Sequence, residues 1–85
     1  MQRPSPTRHD TDTAHQVGAR LKELRLDVGL TQAALARAVG RSRSLIAEYE
    51  ADRKCIPHPM VWDLTRVLQV RVDALFEHLY ERLRN

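Results

Sequence analysis

The chain has 85 residues, which is less than one average domain length, so a multi-domain enzyme is excluded. Three glycines and four prolines are too few for the many turns of an all-β fold, and 42% hydrophobic with 29% charged residues is ordinary for a globular protein. The net charge of +3 comes entirely from residues 13–54, where eight Lys and Arg residues face five Asp and Glu residues. We therefore expect one small helical domain with a basic central part, whose partner is either nucleic acid or only solvent.

The small size also bears on stability and on cellular location. A domain of this length buries only about 60% of its unfolded surface, so it is marginal alone and gains from self-association. Cys55 is the single cysteine, which rules out an internal disulfide and suits a reducing cytoplasm. Because the sequence has no long apolar run and no apolar N-terminal segment, we expect a cytoplasmic protein without a membrane span or secretory signal.

The N-terminal pattern predicts a disordered tail over residues 1–12 and a folded domain over residues 13–85. The tail is polar, contains two prolines and lacks apolar periodicity. Thr13 and Gln16 fit a capping box at the start of a first helix, and Gly29 is suited to end that helix in a left-handed conformation. The apolar residues of this helix, at spacings of four, three and four, are Val17, Leu21, Leu24 and Val28.

Two short helices are predicted next, separated by a brief turn. Thr31 is suited to cap the second helix, which stops before Gly40, and Ser42 is suited to cap the third. Since the connection is only Gly40 and Arg41, the third helix must cross the second steeply. The residues that repeat at helical spacing in the second helix are Ala34, Leu35, Ala38 and Val39. The residues of the third helix expected to face inward are Leu45, Ile46 and Tyr49.

The C-terminal part predicts two further helices and completes an all-α fold of five. A polar loop with two prolines follows the third helix, Pro59 suits the first turn of a fourth helix ending near Gln69, and a fifth begins around Val72. The apolar residues of these two helices are Val61, Leu64, Val67, Leu68, Leu75, Phe76, Leu79, Tyr80 and Leu83.

Four segments in register carry a resemblance to a known family. They are GARLKELR at 18–25, GLTQAALA at 29–36, VGRSRSLIAEYE at 39–50 and LTRVLQVRVDALF at 64–76. From Val17 to Phe76, without insertion or deletion, the chain resembles the Cro-like, or XRE-like, phage-repressor family of helix-turn-helix DNA-binding domains. The resemblance implies a five-helix lambda-repressor-like fold, here with an extended C-terminal helix, that binds double-stranded operator DNA.

The resemblance implies base contacts from the third helix. Arg43 and Ser44 occupy its first turn, where this family contacts base edges, and Glu48 lies one turn further on. Arg43 can donate two hydrogen bonds to guanine, and the alternative is that it touches only phosphate. Glu48 can accept from cytosine, and a salt bridge with a neighbouring cation is nearly as well supported.

The resemblance also implies phosphate contacts and one structural ion pair. Gln32 opens the second helix, where the family's Gln holds a phosphate, and the alternative is that it is only a polar first-turn residue. The other phosphate contacts, each of which could equally be solvated surface, are Arg41, Ser42, Arg53 and Lys54. Arg25 and Glu50 occupy positions that the family pairs to hold the recognition helix on the scaffold. The chain departs from the family at Asp52, where many members have Gly, and this places the loop's DNA contact in doubt.

An apolar surface predicts a symmetric homodimer. Trp62 lies where relatives carry a polar residue, and the fifth helix extends past the point where many minimal relatives stop. The predicted interface residues are Trp62, Phe76, Leu79, Tyr80 and Leu83. The alternative is that Trp62 only covers the edge of the core.

Together these features favour a transcriptional regulator, most simply a repressor, that binds a palindromic operator as a homodimer. The layout is similar to that of restriction-modification controller proteins, and control is expected through concentration and cooperativity. The rival hypothesis is a protein-interaction module, such as an antitoxin that masks a toxin. Neither Cys55 with His58 nor the histidines near the N-terminus supply four converging ligands, so no metal, cofactor or enzymatic activity is expected.

Overall fold

A computed structural model describes residues 6–76 of the chain, with side chains described from Val17 onward. This range is entirely helical in its regular structure. Its elements are α1 (Pro6–Asp27), α2 (Gln32–Val39), α3 (Arg43–Glu50), α4 (His58–Leu68) and a 3-10 helix (Val72–Phe76). The all-α class and the presence of the first four helices are as predicted. The 3-10 helix stands where the fifth helix was expected to begin, and since residues 77–85 lie outside the described part, the extended C-terminal helix stays a prediction.

The first helix begins earlier than the sequence pattern indicates. It starts at Pro6, so the prediction that a capping box at Thr13 opens it is wrong. Proline suits the first turn because its missing N–H would have no intrahelical partner there. The polar residues that follow contain no helix breaker before Gly18, so nothing local stops the helix from extending. Residues 6–12 are therefore helical here, while the division into a disordered tail (1–12) and a domain (13–85) stays a prediction.

All four α-helices end in the same way, with a left-handed residue and two closing backbone bonds. Gly29 takes a φ of 77° after α1, as predicted, and Gly40 takes a φ of 70° after α2. Arg41 then donates its N–H to the Ala36 carbonyl at 2.8 Å, which is the closing bond of a Schellman motif. This tight reversal directs the chain from α2 into α3 within three residues, so the two helices must cross at a steep angle.

The core lies between the four α-helices and the 3-10 helix: α2 packs on α3 and α4, and α1 packs on α3 and the 3-10 helix. Its fully buried side chains come from every one of these elements; they are Leu21, Leu35, Ile46, Leu64, Leu68 and Leu75. Ala36 on α2 is only 2% exposed, and its small side chain lets α3 pack closely. Val28, which the sequence pattern groups with the apolar residues of the first helix, is 47% exposed, because α1 ends at Asp27 and Val28 falls in the closing turn.

Two side chains tie the C-terminal part of the core together. Arg20 on α1 donates from Nε to the Ala74 carbonyl at 3.0 Å, which fastens the 3-10 helix to the first helix. Thr65 is buried, and its hydroxyl donates to the Val61 carbonyl of the same helix at 2.8 Å, so its polar group is satisfied. Over the described range, none of the helices has both the length and the apolar character required to span a bilayer.

Candidate nucleic-acid interface

Capping side chains fix the N-termini of α2 and α3, the two ends that the sequence assigns to DNA contact. Thr31 Oγ1 accepts the Ala34 N–H at 3.0 Å, and Ser42 Oγ accepts the Leu45 N–H at 3.1 Å, as both predicted caps require. Each cap has an extended backbone, which terminates the helix cleanly. Both first turns therefore have defined positions, and each adds the positive end of a helix dipole.

The third helix has one apolar face and one polar face. Ile46 and Tyr49 are 0% and 4% exposed and hold the helix on the core. Arg43 and Ser44 in the first turn are exposed, whereas Glu48 is half-buried. The Glu48 carboxylate lies 3.4 Å from the Lys54 ammonium, so the salt bridge weighed for Glu48 is present, with lysine as its partner. The first turn of α3 thus presents the hydrogen-bond donors of Arg43 and Ser44 to solvent.

Arg25 and Glu50 form a buried ion pair that joins α1 to the end of α3. Arg25 Nε and Nη2 donate to the two carboxylate oxygens of Glu50, at 2.6 and 3.1 Å. The third nitrogen, Nη1, donates to the Leu30 carbonyl at 2.7 Å. Both side chains are less than 10% exposed, so this bidentate pair is shielded from solvent on every side.

Gln32 connects this buried pair to the exposed first turn of α3. Its amide nitrogen donates to Glu50 Oε1 at 3.0 Å, and its amide oxygen accepts from Arg43 Nη1 at 3.1 Å. One orientation of the amide satisfies both bonds, because the carboxylate only accepts and the guanidinium only donates. A continuous chain of hydrogen bonds therefore runs from Arg25 through Glu50 and Gln32 to Arg43.

The sequence did not predict the link through Gln32. Gln32 and Arg43 were assigned to separate contacts, one to phosphate and one to bases. Two sequence features could have indicated this link. Gln32 and Arg43 each open a helix, and the short turn between the helices brings the two first turns together. We name the set Arg25, Glu50, Gln32 and Arg43 the polar relay.

The remaining predicted phosphate contacts surround the ends of α3. Arg41 lies in the turn before it, and its nearest bond, to the Gly40 carbonyl, is long at 3.5 Å. Ser42 accepts the capping bond, but its hydroxyl proton can still be donated. Arg53 and Lys54 follow the helix and are exposed. All four therefore have side chains at or near the surface on the two sides of α3.

The predicted dimer surface is only partly within the described range. Trp62 on α4 is 62% exposed, which is unusual for the largest side chain. Phe76 is half-buried and packs against the core. The other predicted interface residues, Leu79, Tyr80 and Leu83, lie outside the described residues. Beside Trp62 is a groove lined by Trp62, Thr65, Arg66, Val70, Arg71, Val72 and Asp73.

Comparison with known proteins identifies the family. A family model described as a helix-turn-helix domain matches residues 16–79, which is more than half of the chain. The chain belongs to the helix-turn-helix family of DNA-binding transcriptional regulators. An uncharacterized transcriptional regulator in the ATPase CF(0) region of Rhodospirillum rubrum is 35% identical to this chain over 74 residues. That alignment covers 82% of this chain and 68% of the relative.

Solved helix-turn-helix regulators have the same fold. The restriction-modification controller protein C.AhdI from Aeromonas hydrophila is 31% identical, with a TM-score of 0.71 over 76% of this chain and 97% of the controller. The clp gene regulator ClgR from C. glutamicum is 27% identical, with a TM-score of 0.70 over 74% of this chain and 82% of that one. The predicted resemblance is thus confirmed, and α2, the turn after it and α3 are the helix-turn-helix of this regulator.

Proposed function

We propose that this helix-turn-helix regulator represses a nearby gene by binding a palindromic operator as a homodimer, with α3 in the major groove. The observation that carries the proposal is the polar relay. Arg43 is exposed at the first turn of α3, yet its guanidinium is held by Gln32, which is anchored on a buried ion pair. An exposed arginine held in this way is preorganised for a directional contact, which favours a base edge over diffuse charge attraction.

Arg43 and its neighbours supply the sequence preference. A guanidinium can donate two bonds to guanine O6 and N7, a contact worth about 1–3 kcal/mol of discrimination. Ser44, beside it, can donate or accept. Glu48 can accept a hydrogen bond from cytosine N4, and it repels phosphate. It therefore recognises a base and also disfavours complexes in which a DNA phosphate lies beside it. Lys54 neutralises this carboxylate in the protein alone, at 3.4 Å, and is available to a phosphate when Glu48 has a base partner.

Gln32 positions the protein on the DNA backbone while it holds Arg43. Its amide nitrogen carries two hydrogens, so it can donate to a phosphate oxygen and keep its bond to Glu50. The first-turn amides of α2 and the helix dipole favour the same anion. The further phosphate contacts are Arg41, Ser42, Arg53 and Lys54, which fix register without distinguishing sequences.

The exposed face of α4 supports self-association. Trp62 and the adjacent groove provide a projection and a concave surface side by side, which is the arrangement a two-fold contact needs. The charges around it have both signs: Arg66 pairs with Asp63 at 2.6 Å, and Arg71 lies 3.4 Å from Asp73. A second copy therefore meets complementary rather than repelling charge. A two-fold dimer places its recognition helices about 34 Å apart, one turn of B-DNA.

The binding proposal is tested by titrating a duplex that carries a selected palindrome, with excess nonspecific competitor, over a range of salt concentrations. We expect a steep fall in affinity with salt and loss of discrimination in Arg43→Ala. Arg37→Ala is the matched control, because it removes the same charge from an exposed α2 arginine that lies outside the proposed contacts. Binding no tighter than to competitor would contradict DNA recognition and favour a protein-interaction module such as an antitoxin.

The dimer proposal is tested by sedimentation equilibrium at tens of micromolar. Truncating a central aromatic residue typically costs more than 2 kcal/mol of association, so Trp62→Ala should weaken the dimer by roughly 30-fold or more. Leu26→Ala is the control, since Leu26 is an exposed apolar residue (56%) on α1. A wild-type monomer at these concentrations would contradict the proposal.

A further inference from the structure

The residue that ends the recognition helix breaks a local rule. Asp52 closes α3 with φ at 61°, in the left-handed region that favours glycine. Its N–H donates to the Tyr49 carbonyl at 3.1 Å, and the next amide, of Arg53, donates to Glu48 at 2.9 Å. These two bonds are the closing pair of a Schellman motif, for which glycine is the usual residue. The backbone of this motif therefore does not explain why position 52 is an aspartate and not a glycine.

The side chain of Asp52 reaches back to the first helix. Its Oδ1 accepts the N–H of Gly18 at 3.1 Å, across 34 residues of sequence. Gly18 lies inside α1, where glycine is less favourable than alanine. A Cβ on Gly18 would lie 2.5–2.6 Å from three atoms of the Asp52 carboxyl group, which is closer than real atoms approach. Any larger residue at position 18 would therefore push the Asp52 carboxyl group away from its present place.

Two unfavourable local choices thus meet in one contact. Glycine inside a helix and aspartate in a left-handed conformation are each costly alone, and each is explained by the presence of the other. The contact fastens the C-terminal end of α3 to α1 at a second place, in addition to the Arg25–Glu50 ion pair. We name the contact between Asp52 and Gly18 the exit clamp.

We propose that the exit clamp is a positioning device for DNA binding, in which Asp52 orients the following residues, Arg53 and Lys54, toward the phosphate backbone. This inference rests on the proposed function. Arg53 and Lys54 come directly after the clamped residue, so the clamp sets the direction in which the chain leaves α3. It also holds a carboxylate against a backbone amide, where it cannot swing toward a phosphate and oppose the two cations beside it.

The test compares variants in the slope of log affinity against log salt, which counts the phosphates neutralised. Asp52→Gly keeps the favoured backbone and removes the clamp, whereas Asp52→Asn removes the same charge but keeps an acceptor and tolerates the left-handed region. We expect Asp52→Gly to bind about threefold to tenfold more weakly than Asp52→Asn, with a slope smaller by about one to two. Gly18→Ala, which displaces the carboxylate but keeps its charge beside the two cations, should bind at least as weakly as Asp52→Gly and add nothing to it in the double variant.

Two controls separate positioning from stability. Gln69→Gly makes the same backbone change at the end of α4, where Gln69 also has φ at 61°, and should leave the slope unchanged. Affinities are corrected for the folded fraction measured by circular dichroism. If Asp52→Gly and Asp52→Asn have the same slope and affinity, the positioning role is wrong, even where wild type binds its operator. If wild type shows no specific binding, the proposed function fails first, and the clamp loses its role with it.

Discussion

The buried ion pair between Arg25 and Glu50 gives the sharpest stability prediction. Arg25→Ala leaves the Glu50 carboxylate, only 4% exposed, with Gln32 as its remaining donor among the bonds described above, and it also removes the donor to the Leu30 carbonyl. Breaking a buried pair by removing one partner costs about 3–5 kcal/mol. At roughly 0.05–0.15 kcal/mol per residue, a chain of 85 residues has a total stability of roughly 4–13 kcal/mol. The variant should therefore be close to unfolded, or far less stable than wild type.

Urea unfolding followed by circular dichroism measures this loss. Arg66→Ala is the matched control, because its bond to Asp63 has the same 2.6 Å length but is exposed, with side-chain accessibilities of 74% and 39%. Exposed pairs contribute about 0–1 kcal/mol, so the control should change little. The double variant Arg25→Met with Glu50→Leu should recover most of the loss, since it leaves no buried charge unpaired. A loss below about 1 kcal/mol in Arg25→Ala would mean that this buried pair does not hold α3 on α1.

Three further predictions concern the core, the caps and the relay. Leu35→Ala, at a fully buried position on α2, should cost about 2–5 kcal/mol in the same urea assay, and a cost under about 1 kcal/mol would contradict the described core. Thr31→Ala should cost about 1 kcal/mol, because the Ala34 amide loses its capping acceptor, while Thr31→Ser should cost much less. Gln32→Ala should weaken operator binding more than nonspecific binding, since Arg43 loses its fixed orientation; an equal loss on both DNAs would assign Gln32 to phosphate alone.

Local chemistry is why much of the fold could be predicted from the sequence. Thr31 and Ser42 are side chains that satisfy helix amides, and Gly29 and Gly40 tolerate a left-handed backbone, so four helix boundaries follow from single residues. The start of α1 did not follow. A polar segment without apolar periodicity carries no signal for burial, but it also contains little that prevents helix propagation once Pro6 has opened the first turn.

The candidate site was predictable as a set of residues but not as a network. The family resemblance supplied the pairing of Arg25 with Glu50, and the structure contains that pair. The bonds that Gln32 makes to Glu50 and Arg43 depend on how steeply α2 and α3 cross, which is a tertiary property. Asp52 was noticed only as a departure from the family's glycine. Its contact with Gly18 joins residues 34 positions apart, and no local pattern indicates such a contact.

In the proposed complex, Arg43, held by the polar relay, recognises a base in a palindromic operator. Selection of bound sequences from a random duplex pool, carried out in parallel with wild type and Arg43→Ala, tests it most directly. Wild type is expected to select an inverted repeat with half-sites about one helical turn apart and a guanine in each half. Arg43→Ala should lose the preference at that guanine and keep the spacing. No inverted repeat with wild type, or an identical consensus from both proteins, would contradict the account.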